Sequence, residues 1–234
     1  MHAWVIGGSG LVGRSLVELL LAQSTVEHVL SLGRRRTFGA HPKLEERVVN
    51  LAELEQALAG VQASHAFCCI GTTMAAAGSK EAFRQVDFEY PLALARAARA
   101  AGAVSYLLVS AAGANPKSPF FYNRVKGEVE QALGELDFPR LHLLRPSLLL
   151  GERAEARPGE RVAAVLARPL SGLFVGRLGK YAPIEARDVA RALVVLADRA
   201  DAGRHVHESN ELIELAARLP EPGGEPSRND NESC

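Results

Sequence analysis

The chain has 234 residues, 47% hydrophobic and 23% charged, and its 27 Lys and Arg balance 27 Asp and Glu. That length suits one domain with a sizeable buried core. Zero formal charge removes any global field that would steer it to nucleic acid or an anionic membrane. No apolar run approaches the roughly 18 residues a spanning helix needs, and MHAWVIGGSG lacks the basic start and apolar length of a signal peptide. No nucleic-acid and no membrane partner is therefore expected. Cys68 and Cys69 are adjacent in an apolar run and Cys234 is the last residue. Strand neighbours point to opposite faces, so a disulfide framework is not expected and a cytoplasmic location is.

In chain order, short apolar runs alternate with helical patterns. Ala3–Ile6 opens the series, and Leu11 to Ala22 then repeats Leu and Val at three- and four-residue steps. Runs follow at Val29–Leu32 and Arg47–Asn50, with a short helix over Glu53–Ala59. Ala66–Ile70 precedes a long Ala- and Arg-rich helix, Ser79 to Ala101, stopped by Gly102. Ser105–Ser110, a helix from Tyr122 to Leu136, and Leu141–Arg145 complete the regular part. Apolar runs of this length suit strands buried on both faces. The alternation predicts a doubly wound α/β parallel sheet with right-handed crossovers.

Past Gly151 the pattern loosens. A Pro-Gly turn signal, an apolar helix over Val162–Ala167, a Gly-rich stretch and a helix over Asp188–Ala197 read as a small substrate lobe drawn mainly from 151–219. RHVHE and NELIELAARL predict one more strand and helix, one of His205 and His207 being exposed. The tail, 220–234, has almost no apolar residue and is expected to be disordered.

GGSGLVG ends the first strand and opens the first helix, with Gly7, Gly10 and Gly13 at three-residue steps. One glycine permits unusual dihedrals, one lets backbone amides approach a pyrophosphate, and one lets the helix lie close on the sheet. Backbone donors at the helix start, across Ser9, Leu11 and Val12, suit a phosphate. At the end of the second strand, where NAD-preferring folds carry an acid, stand Gly33, Arg34, Arg35 and Arg36. A guanidinium there suits the 2′-phosphate of NADP(H). Asn50 and Leu51 are expected beside the adenine, and Gly71, Thr72 and Thr73 along the ribose and diphosphate; turn chemistry at strand ends accounts for each equally well. Cys68 and Cys69 read as small buried hydrophobes. The histidines show no metal-ligand spacing.

The glycine loop, the basic strand end and Tyr-x-x-x-Lys, carried by GGSGLVGRSL, LGRR, CIGTTMAAAGSKEAFRQVD, YNRVKGEVE, LLRPSLLLGER and ARPGER, resemble the short-chain dehydrogenase/reductase superfamily. The likeness is to its atypical branch containing the Tat-interacting oxidoreductase proteins. It covers most of residues 1–160, and DVARAL at 188–193 fits the later part. The resemblance implies a Rossmann core, NADP(H) binding and a Ser–Tyr–Lys group. It also implies that the segment around Pro146 and Leu148 lies along the nicotinamide. Asp87 matches a position near the substrate loop, with a surface or capping role equally open, and Arg145 is as well read as a structural ion pair.

Independently of any family, hydride transfer to a carbonyl leaves charge on oxygen and calls for a proton donor. A free phenol is a poor acid at neutral pH, and a nearby ammonium favours its phenolate. Tyr122 and Lys126, four residues apart, share one helical face. Ser110 is the candidate third group. Relatives carry paired serines here, whereas the second position in this chain is Ala111; Ser118 or Asn115 are the fallbacks. The leading reading is an NADP(H)-dependent oxidoreductase acting on a small-molecule carbonyl or alcohol, in an architecture that suits a homodimer. The alternative is a regulatory NADPH-binding protein with little chemistry. A sugar-nucleotide epimerase, a third reading, would need a larger lobe.

Overall fold

The structure, a computed structural model, describes residues 1–151 and 181–220. The expected Val162–Ala167 helix and the tail from 221 onward lie outside the described residues. Seven strands form one sheet: β1 (His2–Ile6), β2 (His28–Gly33), β3 (Leu44–Val48), β4 (His65–Cys68), β5 (Ser105–Val109), β6 (Arg140–Arg145) and β9 (Gly203–Glu208). Their order is β3-β2-β1-β4-β5-β6-β9, with every pairing parallel. A separate pair, β7 (Leu149–Leu150) and β8 (Ile184–Glu185), is also parallel. The doubly wound expectation holds, and the order reverses between β1 and β4, where such sheets bind ligands beyond the strand ends.

Helices cover both faces, which is why the strands read as continuous apolar runs. From β1, Ala3 and Val5 join the core beneath α1 (Leu11–Ala22), α7 (Ala186–Ala197) and α8 (Ser209–Ala216). Leu16, Leu20, Val189, Leu193 and Leu212 belong to that core. Trp4 and Ile6 point the other way, toward α5 (Tyr90–Ala100) and α6 (Phe121–Gly134), among Leu94, Ala98, Val129 and Leu133. The buried Trp4 indole donates to the Gln62 carbonyl at 3.1 Å, so its polar edge is satisfied.

Three local expectations shift. The third strand begins at Leu44, upstream of the expected Arg47–Asn50, because this edge strand, LEERV, is only half-buried and carries polar residues the apolar search passes over. The short helix resolves into a 3-10 turn (Leu51–Glu53) and α2 (Leu54–Ala57). The long helix is three pieces: α4 (Lys80–Arg84), a π-helical turn (Gln85–Glu89) and α5. Ahead of α4 lies α3 (Met74–Ala77).

Two histidines are buried and kept neutral. Burial above all, then the Arg140 charge, pushes His65 down to about 4, while its Nε2–H donates to the Ala197 carbonyl at 3.1 Å. Burial, followed by His207 and His205, also pushes His142 down to about 4. His142 Nδ1 lies 3.1 Å from His207 Nε2, and both His205 and His207 stack on the His142 side of the sheet. His207 is buried and His205 half-buried, so the expected exposed member is only partly so. Both groups have folded values below the unfolded 6.5, so the unfolded chain binds more protons as pH falls. Their contribution is complete above 6.5 and is lost as pH falls toward about 4. Urea denaturation should show each costing about 2 kcal/mol by about pH 5; a midpoint unchanged between about pH 7 and 5 would contradict the neutral assignment.

Candidate functional site

The β1–α1 loop is built by glycines that no other residue replaces. Gly7 has φ of +89°, and a Cβ there would sit 2.6 Å from the Cys69 carbonyl carbon. A Cβ on Gly13 would lie 2.1 Å from the Gly7 oxygen, so α1 starts directly against the end of β1. Gly10 donates its N–H to the Gly7 carbonyl at 2.9 Å and caps α1 without a side chain. No acid stands in the first turn. The first N–H groups of a helix have no intrahelical partner, and the positive end of its dipole faces the crevice. This cradle of backbone donors at the switch point fits a dinucleotide diphosphate. Leu11 and Val12 would contribute amides, since the Val12 side chain is buried; Ser9 is exposed.

Beyond β2, Arg34, Arg35 and Arg36 are exposed and make no ion pair among the described residues. Glu46 folds the loop that follows: its carboxylate accepts the Thr37 N–H at 2.6 Å and the Phe38 N–H at 3.2 Å. Arg14 on α1 stands 5.9 Å from the centroid of the Phe38 ring, a cation at the loop that the sequence reading missed. Asn50 caps the 3-10 turn, accepting the Ala52 N–H and donating to Glu53, and Leu51 is buried in the core. Turn chemistry therefore occupies the Asn50 amide. Thr73 caps α3, and Gly71 is open to solvent. Pro146 is buried, its carbonyl accepting the Ala112 N–H, while Leu148 is exposed.

Helix α6 presents Tyr122, Lys126 and Glu130 at successive turns. Tyr122 sits at the surface, 36% exposed, its ring 5.6 Å from that of fully buried Phe83. Lys126 and Asp87 are both buried, and Lys126 Nζ lies 2.7 Å from Asp87 Oδ1. The other carboxylate oxygen accepts the Thr72 N–H at 2.9 Å. Burial works against the ammonium, yet the Asp87 carboxylate and then Tyr122 outweigh it and hold the amine well above the ordinary lysine range. Of the two roles left open for Asp87, neither surface exposure nor capping is found. The π-helical turn aims its carboxylate inward, a distortion common at functional sites.

Ser110 is brought near α6 but toward Glu130: its hydroxyl donates to Glu130 Oε1 at 2.5 Å. Glu130, fully buried, also accepts both Nε and Nη2 of Arg145, at 3.0 and 2.6 Å. The hydroxyl hydrogen is thus committed to a structural ion pair, and the oxygen keeps only acceptor capacity. The Asn115 side-chain oxygen accepts the Lys117 N–H and Ser118 accepts the Phe120 N–H, so both fallbacks shape the loop. That loop is clamped to α6. Asn123 donates to the Gly113 carbonyl, and a Cβ on Gly127 would come within 2.2 Å of the Asn115–Pro116 backbone. Burial pushes the Cys68 thiol up to about 11, so it stays protonated and inert near neutrality. Among the described residues no group of His, Cys, Asp or Glu is arranged to hold a metal ion, and no helix is long and apolar enough to cross a membrane.

Parallel sheet, glycine cradle and switch point define a Rossmann-type nucleotide-binding α/β protein of the short-chain dehydrogenase/reductase kind. The chain belongs to the NAD dependent epimerase/dehydratase family, whose model matches residues 3–210. It is 39% identical over 164 residues to Protein HTATIP2 of Rattus norvegicus, covering 68% of this chain and 67% of that protein. It is 34% identical over 229 residues to Protein FMP52-1, mitochondrial, of Scheffersomyces stipitis, covering 94% of this chain and 100% of the relative. MoeE5 in complex with UDP-glucose and NAD shares the fold at TM-score 0.66 and 18% identity, over 93% of this chain and 81% of that one. DesIV, a dTDP-glucose 4,6-dehydratase from Streptomyces venezuelae with NAD and TYD bound, does so at 0.65 and 17%, over 92% and 80%. The mitochondrial names of the Scheffersomyces stipitis relative and of Protein fmp52, mitochondrial, of Emericella nidulans, 34% identical over 183 residues, overturn the cytoplasmic expectation. Among the described residues Cys68 and Cys69 are free thiols, which selects no compartment.

Gly13→Ala should destabilise the fold by about 1–3 kcal/mol, since a methyl group cannot share space with the Gly7 carbonyl. It should also abolish dinucleotide binding, read by fluorescence titration. Unchanged affinity would remove this loop as the diphosphate grip.

Proposed function

We propose that the protein is an NADP(H)-dependent oxidoreductase that reduces a small carbonyl, or oxidises the matching alcohol, with Tyr122 as the proton donor and Lys126 as its partner. The observation that carries this reading is a buried lysine, 2.7 Å from a buried carboxylate and one helical turn beneath a surface tyrosine, beside the crevice of a glycine cradle. The amides of Gly10, Leu11, Val12 and Gly13 would hold the diphosphate, and Arg34 and Arg35 the 2′-phosphate. Bound there, NADP(H) supplies or accepts the hydride. Tyr122 gives its hydroxyl proton to the substrate oxygen as that oxygen gains charge. The Lys126 ammonium favours the phenolate left behind. Hydride and proton together turn C=O into CH–OH, and the reverse reaction returns the proton to Tyr122.

One observation favours the regulatory alternative. The Ser110 hydroxyl donates to Glu130 and position 111 is alanine, so this strand end offers the substrate oxygen no serine hydrogen. Slow turnover with tight NADPH binding would fit a sensor of the nucleotide rather than a metabolic catalyst.

Tyr122→Phe should leave NADPH affinity unchanged and lower the reduction of an aldehyde and ketone panel by at least about 100-fold. Retained turnover rules the tyrosine out as donor. NADPH should bind more tightly than NADH. Replacing Arg34 and Arg35 together by Ala should weaken NADPH by about tenfold or more while sparing NADH. Equal dissociation constants in the parent protein would refute the 2′-phosphate assignment.

A further inference from the structure

The Lys126 side chain is 4% exposed and that of Asp87 0%, so water answers neither charge. An unpartnered lysine in such a place gives up its proton, by several pH units when burial is complete. Four other titratable groups stand near the pair. Glu130, one turn along α6, is taken by Ser110 and Arg145. At the end of β4, burial above all pushes the Cys68 thiol up to about 11, so it carries no charge near neutrality. On β5, burial likewise pushes the Tyr106 phenol up, and its hydroxyl donates to the Pro91 carbonyl at 2.7 Å. Tyr122 is the proposed acid itself. What remains at contact distance among the described residues is the Asp87 carboxylate.

The fold invests in that carboxylate. Tyr90 donates its N–H to the Gln85 carbonyl five residues back, and this wider turn carries Asp87 between α4 and α5. One carboxylate oxygen is fixed from the loop after β4 by the Thr72 N–H, and the other faces Lys126 on α6. Three separate segments therefore converge on one ion pair. We propose that Asp87 is a positioning residue for Lys126: it keeps the amine in its ammonium form inside a water-free pocket and fixes it below Tyr122. The role of that ammonium rests on reading Tyr122 and Lys126 as the acid–base pair.

The test uses the full chain with 13C- and 15N-labelled lysine, the Lys126 signal being the one lost in Lys126→Met. In the parent, the ε-carbon shift of Lys126 should titrate above the range of free lysine. In Asp87→Asn the midpoint should fall by about three units or more, and Asp87→Glu should restore at least half of that fall. NADPH-dependent reduction of benzaldehyde should follow, with the alkaline limb of kcat moving down in Asp87→Asn and KM changing less. A merely structural Asp87 would lower kcat equally at every pH. An unchanged Lys126 midpoint in Asp87→Asn overturns the proposal, and Asp87→Ser serves if the Asn variant does not fold. A parent Lys126 that titrates below free lysine overturns it with no variant at all. If the lysine titrates as expected but no carbonyl is reduced, the charge-holding role of Asp87 stands and the acid–base reading falls.

Discussion

An ammonium group wholly removed from water has to be met by a carboxylate at contact distance, and the crevice side of this fold is arranged around that requirement. Lys126 enters from α6, Asp87 from the π-helical turn, and the Thr72 amide from the strand-end loop after β4. The loop's Gly71 borders this meeting, and a Cβ there would lie at ordinary contact distance, 3.4 Å from Asp87 Oδ1 and 3.8 Å from Lys126 Nζ. Bare backbone on one side and a paired charge on the other frame the switch point. A second buried carboxylate, Glu130, repeats the solution one turn along α6 with Arg145 as partner.

What the sequence made legible is what depends on local pattern. Both-face burial gives continuous apolar strands, so β1, β2, β4, β5 and β6 were readable as runs, and the glycine loop could be placed between β1 and α1. Tyr122 and Lys126 were readable because helical spacing alone puts them on one face. The remainder depends on meetings between distant segments. An Ala-rich run continues a helical period straight through Gln85–Glu89, so the extra residue that turns Asp87 inward leaves no mark in the pattern. Ser110 looked available because Glu130, twenty residues on, could not be seen to accept its hydroxyl. Asn50 could be read equally as a base-reading amide or a turn former, and its own turn claims it.

The same distinction bears on function. Membership of the NAD dependent epimerase/dehydratase family and the shared fold account for a nucleotide crevice. The chemistry belongs to a few side chains and their hydrogen-bond commitments, not to the fold. In this chain Lys126 is committed to Asp87 and the Ser110 hydroxyl to Glu130.

Gly127 carries a consequence of its own. With no room for even a methyl group against Asn115 and Pro116, and with Asn123 tied to the Gly113 carbonyl, α6 and the turn following β5 behave as one solid piece. Tilting the helix to suit a bulkier guest would drag the strand end along with it. Any reshaping of the crevice is thus channelled away from Tyr122 and toward whatever walls stand opposite.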